Sequence, residues 1–98
     1  MIISKIDLQN IINKEENVLV DFFANWCAPC QRLMPILEKL KKERKDIKIV
    51  KIDIDLNQDL LLDNNIKSFP TLILYKKGKE IKRKIGFCSF EELLIFIQ

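Results

Sequence analysis

Val20-Asp21-Phe22-Phe23-Ala24-Asn25-Trp26-Cys27-Ala28-Pro29-Cys30 is the stretch on which the reading of this chain turns. Residues 18–24 form a nearly continuous apolar run of β-branched and aromatic side chains, the pattern of a strand covered on both faces. From Pro29 to about Arg44 the period changes. Leu33, Ile36, Leu37 and Leu40 share one side of a helix, and Lys39, Lys41, Lys42 and Glu43 fall on the others. Two cysteines, three positions apart, therefore stand between the end of a strand and the first turn of a helix. Pro29 suits that first turn, where the amide it lacks would be unpaired anyway. Pro35 lies inside the helix and removes one backbone donor, which predicts a kink.

Working outward, Ser4-Lys5-Ile6-Asp7 predicts a capped helix running to about Asn13, with Ile3 placed to staple onto Leu8. Residues 47–54 read as a second strand, and a short helix follows around residues 58–64. Residues 71–75 read as a third strand, and Lys76-Lys77-Gly78-Lys79 as a hairpin turn in which Gly78 takes positive φ. Residues 80–85 pair back as a lysine-rich edge strand, a composition that opposes edge-to-edge association. Ser89-Phe90-Glu91-Glu92 is a capping box that opens a closing helix with its apolar part at residues 93–97. A small leading strand is expected at residues 1–3. The order α-β-α-β-α-β-β-α predicts one α/β domain over residues 1–98. Its mixed sheet of four to five strands is flanked by four helices, with helix-joined strands parallel and the final hairpin antiparallel.

Bulk properties narrow the function classes. Of the 98 residues, 48% are hydrophobic and 32% charged, the balance of a globular domain. The net charge is +3 with no histidine, and the lysines are spread rather than gathered into a patch with aromatics, so they read as solvated faces and not as a nucleic-acid surface. No run approaches the ~18 apolar residues of a membrane span. The opening Met1-Ile2-Ile3-Ser4-Lys5 lacks the features of a secretory leader, so a soluble, cytoplasmic chain under reducing conditions is expected. Three cysteines, at 27, 30 and 88, make an odd count that argues against a disulfide framework and leaves the close pair catalytic or metal-binding.

The placement of the pair favours catalysis. The first turn of a helix carries unpaired N–H groups and the positive end of the macrodipole, so a thiolate at Cys27 should form more readily than that of a free cysteine. Cys27, expected at an exposed edge, is then the nucleophile toward a substrate disulfide. Cys30, one turn inside, resolves the mixed disulfide by attacking Cys27, and the net reaction is thiol–disulfide exchange. Asp21 lies on a strand that is apolar on both sides. Its carboxyl should be buried and raised in pKa, ready to take the proton of Cys30, directly or through water. Lys51, on the next strand, is expected to share that pocket and moderate the shift.

The segment from Val20 to Cys30 resembles the active-site segment of the thioredoxin family, and the likeness extends over essentially the whole chain. Phe69-Pro70-Thr71 is similar to the family's cis-proline segment, Lys76-Lys77-Gly78 to its hairpin, and Gly86 to a loop glycine beside the site. The resemblance implies a thioredoxin fold and a disulfide reductase that needs no cofactor or metal beyond a redox-active Cys27–Cys30 disulfide. It also implies recharging by a thioredoxin reductase, disulfide-containing client proteins as substrates, and a monomer. It implies the proton-acceptor role of Asp21 and a cis bond before Pro70 that presents the Phe69 backbone to the sulfurs. An extended client segment could pair there, on a surface formed by Trp26, Ala28, Pro29, Phe69 and the Gly86-Phe87 loop.

The chain departs from the family pattern at three places. Ala28 stands where Gly is usual, Gln31 where Lys or Arg is usual, and Phe23 where a second Trp is common. Cys88, just before the Ser89 cap, reads as an apolar staple onto Leu93, with modification near the site rim as the other reading. Three other functions fit the cysteine pair. A thioredoxin-like oxidase or isomerase differs in reduction potential. A thioredoxin-like binding subunit uses the surface without turnover. A zinc module would need more ligands than one C-x-x-C provides.

Overall fold

The computed structural model describes residues 3–98. The first helix, α1 (Lys5–Lys14), begins at the Ser4 cap, whose hydroxyl accepts the Asp7 N–H at 3.0 Å. Strand β1 (Asn17–Phe23) follows, then α2 (Ala28–Glu43), β2 (Lys48–Asp53), α3 (Gln58–Asp63), β3 (Thr71–Lys76), β4 (Lys79–Ile85) and α4 (Phe90–Phe96). The expected element order holds throughout, with ends displaced by one or two residues, and α2 continues through Pro35. The leading strand expected at residues 1–3 falls on residues outside those described, apart from Ile3, whose N–H donates to Asn57 Oδ1 at 2.9 Å.

Alternation along β1 divides the molecule into layers. Val18, Val20 and Phe22 join Leu8 and Ile12 of α1 and Leu60 of α3 in one buried cluster. Leu19, on the opposite face, joins Leu33, Leu37 and Leu40 of α2 and Leu93 and Phe96 of α4 in a second. The three α2 leucines are fully buried, each contributing roughly 2 kcal/mol of transfer free energy. The order of the sheet is β2-β1-β3-β4.

One pairing differs from expectation. The helix-joined strands β1 and β2 are parallel, but β3, joined to β2 through α3, runs antiparallel to β1. The six-residue α3 advances only about 9 Å, and the chain turns back directly after it, with Asn65 at φ 59° and the Ile66 N–H donating to the Leu61 carbonyl at 3.0 Å. It therefore re-enters the sheet at the end where β2 left it. Thr71 sits opposite Phe22, beside the C-terminal end of β1, and the loop before β3 meets the start of α2. The final hairpin is antiparallel as expected, and its turn places Lys77 and Gly78 at φ 52° and 82°.

Candidate active site

Cys27 is the N-cap of α2. Its extended backbone turns the chain from strand into helix, its sulfur accepts the Cys30 N–H at 3.4 Å, and its carbonyl accepts the Gln31 N–H at 3.1 Å. The side chain thus sits at the end of the helix where backbone amides have no intrahelical partner. Across the site its sulfur lies 3.7 Å from the Phe69 carbonyl oxygen. The Phe69–Pro70 bond is cis, as the resemblance implied. The Pro70 carbonyl accepts the Gly86 N–H at 2.8 Å, which joins the third loop to the other two. Gly86 has φ 89°, a region open to glycine at little cost.

The two sulfurs are unequal, although not in the way expected. Cys27 does not stand at an exposed edge: it is 8% exposed, with the loop of Phe69 beside its sulfur, and Cys30 is fully buried. Burial pushes the Cys30 thiol up to about 12, and its hydrogen bond with the Cys27 side chain adds to the rise. Both are free thiols, so the described state is the dithiol.

Asp21 is fully buried, and neither carboxyl oxygen has a hydrogen-bond partner. Desolvation raises its pKa to about 7, against a lowering pull from the Lys51 ammonium. Burial also raises the pKa of the Cys88 thiol, and the charge of Asp21 adds a smaller rise there and at Cys30, so one carboxyl acts on two buried thiols. Lys51, the register partner of Asp21 on β2, moderates the shift as expected, while its ammonium donates to Glu38 at 3.0 Å and makes no hydrogen bond with Asp21.

Around the sulfurs the surface is open and apolar. Trp26 is 68% exposed and meets Phe69 edge-on at 6.1 Å between ring centroids. Ala28 is exposed, Pro29 and Phe69 are half-buried, and Pro70 is buried. Phe87 is exposed beneath the Arg32 guanidinium, 5.5 Å from the ring centroid. Cys88 is fully buried in the cluster that holds Leu93, which fits the staple reading and leaves no thiol at the rim for modification in the native state.

Two partners escaped the sequence reading. Asp55 accepts the Trp26 indole N–H at 3.0 Å and fixes the ring. The acidic Asp53-Ile54-Asp55 run at a strand end was the available signal. Glu38 lies on the polar side of α2, and nothing local to it points to Lys51, 13 positions away. Among the described residues no cluster of three or more His, Cys, Asp or Glu is arranged to hold a metal ion, and no helix is long and apolar enough to cross a membrane.

The Thioredoxin family model matches residues 1–98. A thioredoxin of Mycoplasmoides gallisepticum is 38% identical over 92 residues, covering 94% of this chain and 92% of that protein. One from Chlamydia trachomatis is 44% identical over 80 residues, covering 82% and 78%. Among solved structures, a mutant thioredoxin from Halobacterium salinarum superposes with a TM-score of 0.90 at 33% identity, covering 98% of this chain and 84% of that one. The thioredoxin of Fasciola hepatica gives 0.86 at 34% identity, covering 94% and 89%. With a strand-to-helix cysteine pair, a buried carboxyl behind it and this likeness along its whole length, the chain belongs to the thioredoxin family and is a protein thiol–disulfide oxidoreductase.

Proposed function

We propose that the chain works in the reducing direction, as a general reductase of client-protein disulfides. The observation that carries this is the asymmetry of the pair: Cys27 caps a helix and touches solvent, whereas Cys30 is sealed and held protonated. The Cys27 thiolate attacks one sulfur of the client disulfide. A mixed disulfide forms, and the client's other sulfur leaves as a thiolate that takes up a proton. Cys30 then gives its proton to the Asp21 carboxylate and attacks the Cys27 sulfur. The Cys27–Cys30 disulfide forms, and the second client thiol is released. An acceptor with a pKa of about 7 is part ionised and part protonated near neutrality, suited to both taking and returning that proton.

Trp26, Ala28, Pro29, Phe69, Pro70 and Gly86 form the docking surface, with the Phe69 carbonyl positioned to pair with an extended client segment. Lys51 tempers the basicity of Asp21. Oxidised protein is returned to the dithiol by a thioredoxin reductase, and the Cys27–Cys30 pair carries the electrons, with no cofactor. A reductase works where thiols are kept reduced, so the chain acts in the cytoplasm, as a monomer.

Reduction of insulin disulfides tests the reading. Wild type should turn over with dithiothreitol as the source of electrons. Cys27→Ser should be inactive, and Cys30→Ser should accumulate a covalent adduct through Cys27. Turnover by Cys27→Ser at the wild-type rate would overturn it.

A further inference from the structure

We propose that Glu38 is a positioning residue for the proton-transfer step: its carboxylate holds the Lys51 ammonium at the rim of the sheet and so limits how much of that charge reaches Asp21. The inference rests on the reading of Asp21 as proton acceptor and adds what sets the acceptor's strength.

The geometry is specific. Asp21 and Lys51 are register partners on adjacent parallel strands. Alternation puts both on the face covered by α2, since Leu19 and Ile49 of the same two strands belong to that layer. A buried carboxyl without a hydrogen-bond partner, next to a flexible ammonium, is a strong attractor. The ammonium nevertheless bonds Glu38 at 3.0 Å and makes no hydrogen bond with Asp21. Among the described residues β2 is an edge strand, so Lys51 has room for either position. A groove of about 490 Å³, lined by Phe23, Leu37, Glu38, Lys41 and Lys51 among others, opens there. The hydrogen bond and charge of Lys51 hold the Glu38 carboxylate ionised, and Lys41 and Lys42 of α2 add to this. The other titratable groups whose fields couple to Asp21 are Cys30 of α2 and Cys88 ahead of α4, both fully buried. Lys51 is thus the mobile charge near the carboxyl, and Glu38 is its tether.

If Glu38 becomes neutral, the ammonium swings inward and favours the ionised form of Asp21. The test is a carboxyl-carbon NMR titration of Asp21 in the reduced protein. In Glu38→Gln the midpoint should fall by about one pH unit, and in Glu38→Asp it should stay close to wild type. In a Lys51→Met background, Glu38→Gln should have no further effect. An unmoved midpoint in Glu38→Gln, or an equal fall when Lys51 is absent, overturns the proposal. Single-turnover release of the second client thiol by Asp21→Asn tests the underlying reading separately. An unchanged rate there would remove Asp21 as proton acceptor, while a Lys51-dependent movement of the midpoint would still establish the tether.

Discussion

The Cys27 sulfur lies 3.7 Å from the carbonyl oxygen of Phe69, a residue 42 positions later in the chain. The contact exists because the chain turns back directly after α3, so the loop before β3 is delivered to the start of α2. In the proposed reaction a client disulfide that reaches Cys27 would meet that carbonyl at the same moment, making attack and backbone pairing one docking event.

Alkylation should separate the three thiols. Cys30 and Cys88 are fully buried and both are pushed up in pKa, Cys30 to about 12, whereas Cys27 retains some exposure. Iodoacetamide at mildly alkaline pH should modify Cys27 at least about a hundredfold faster than the other two. Peptide mass spectrometry reads the order, and early labelling of Cys30 would contradict the assignment.

Asp21 should make stability fall as pH rises. Its carboxyl binds a proton more tightly folded, at about 7, than in an unfolded chain near 3.8. The favourable contribution is complete below the unfolded value, is lost between the two, and stays lost above pH 7. The full span is on the order of 4 kcal/mol. Denaturant titrations of Asp21→Asn should lose most of this slope and show a variant more stable than wild type on the alkaline side. A parallel pH profile for the two proteins would refute the assignment.

The α4 cap offers a purely structural control. The Ser89 hydroxyl accepts the Glu92 N–H at 3.1 Å and the Glu92 carboxylate accepts the Ser89 N–H at 2.9 Å, closing a complete box. Ser89→Ala should cost about 1 kcal/mol. For a domain of this size that lowers Tm by about 4–8 °C, with insulin reduction at room temperature retained. Calorimetry and the turnover assay together check it.

Trp26 should matter to clients far more than to folding. Its ring is 68% exposed and held by Asp55, so removing it leaves no cavity. Trp26→Ala should raise KM for insulin about fivefold or more, and its unfolding free energy should stay within about 0.5 kcal/mol of wild type. A large stability loss with unchanged KM would show the ring to be structural.

What could be read along the chain was whatever local pattern controls. The cysteine pair, its helix start, the Ser89 box and the burial of Asp21 follow from periodicity and capping within a few residues. The antiparallel β3 did not, because its direction depends on how the chain turns back after α3. Neither did the burial of Cys27, which results from a loop 42 positions away. Lys51 was picked out, but its partner was not, since Glu38 and Lys51 meet only when α2 is laid against β2.

A sulfur recessed to 8% exposure cannot reach into a rigid partner. On the proposed reading, the partner would bring its own bond inward on a locally loosened stretch of backbone, so its rate of processing should track how often that stretch frays. A recessed nucleophile would then act as a gauge of local unfolding, sparing well-packed bridges without recognising any sequence.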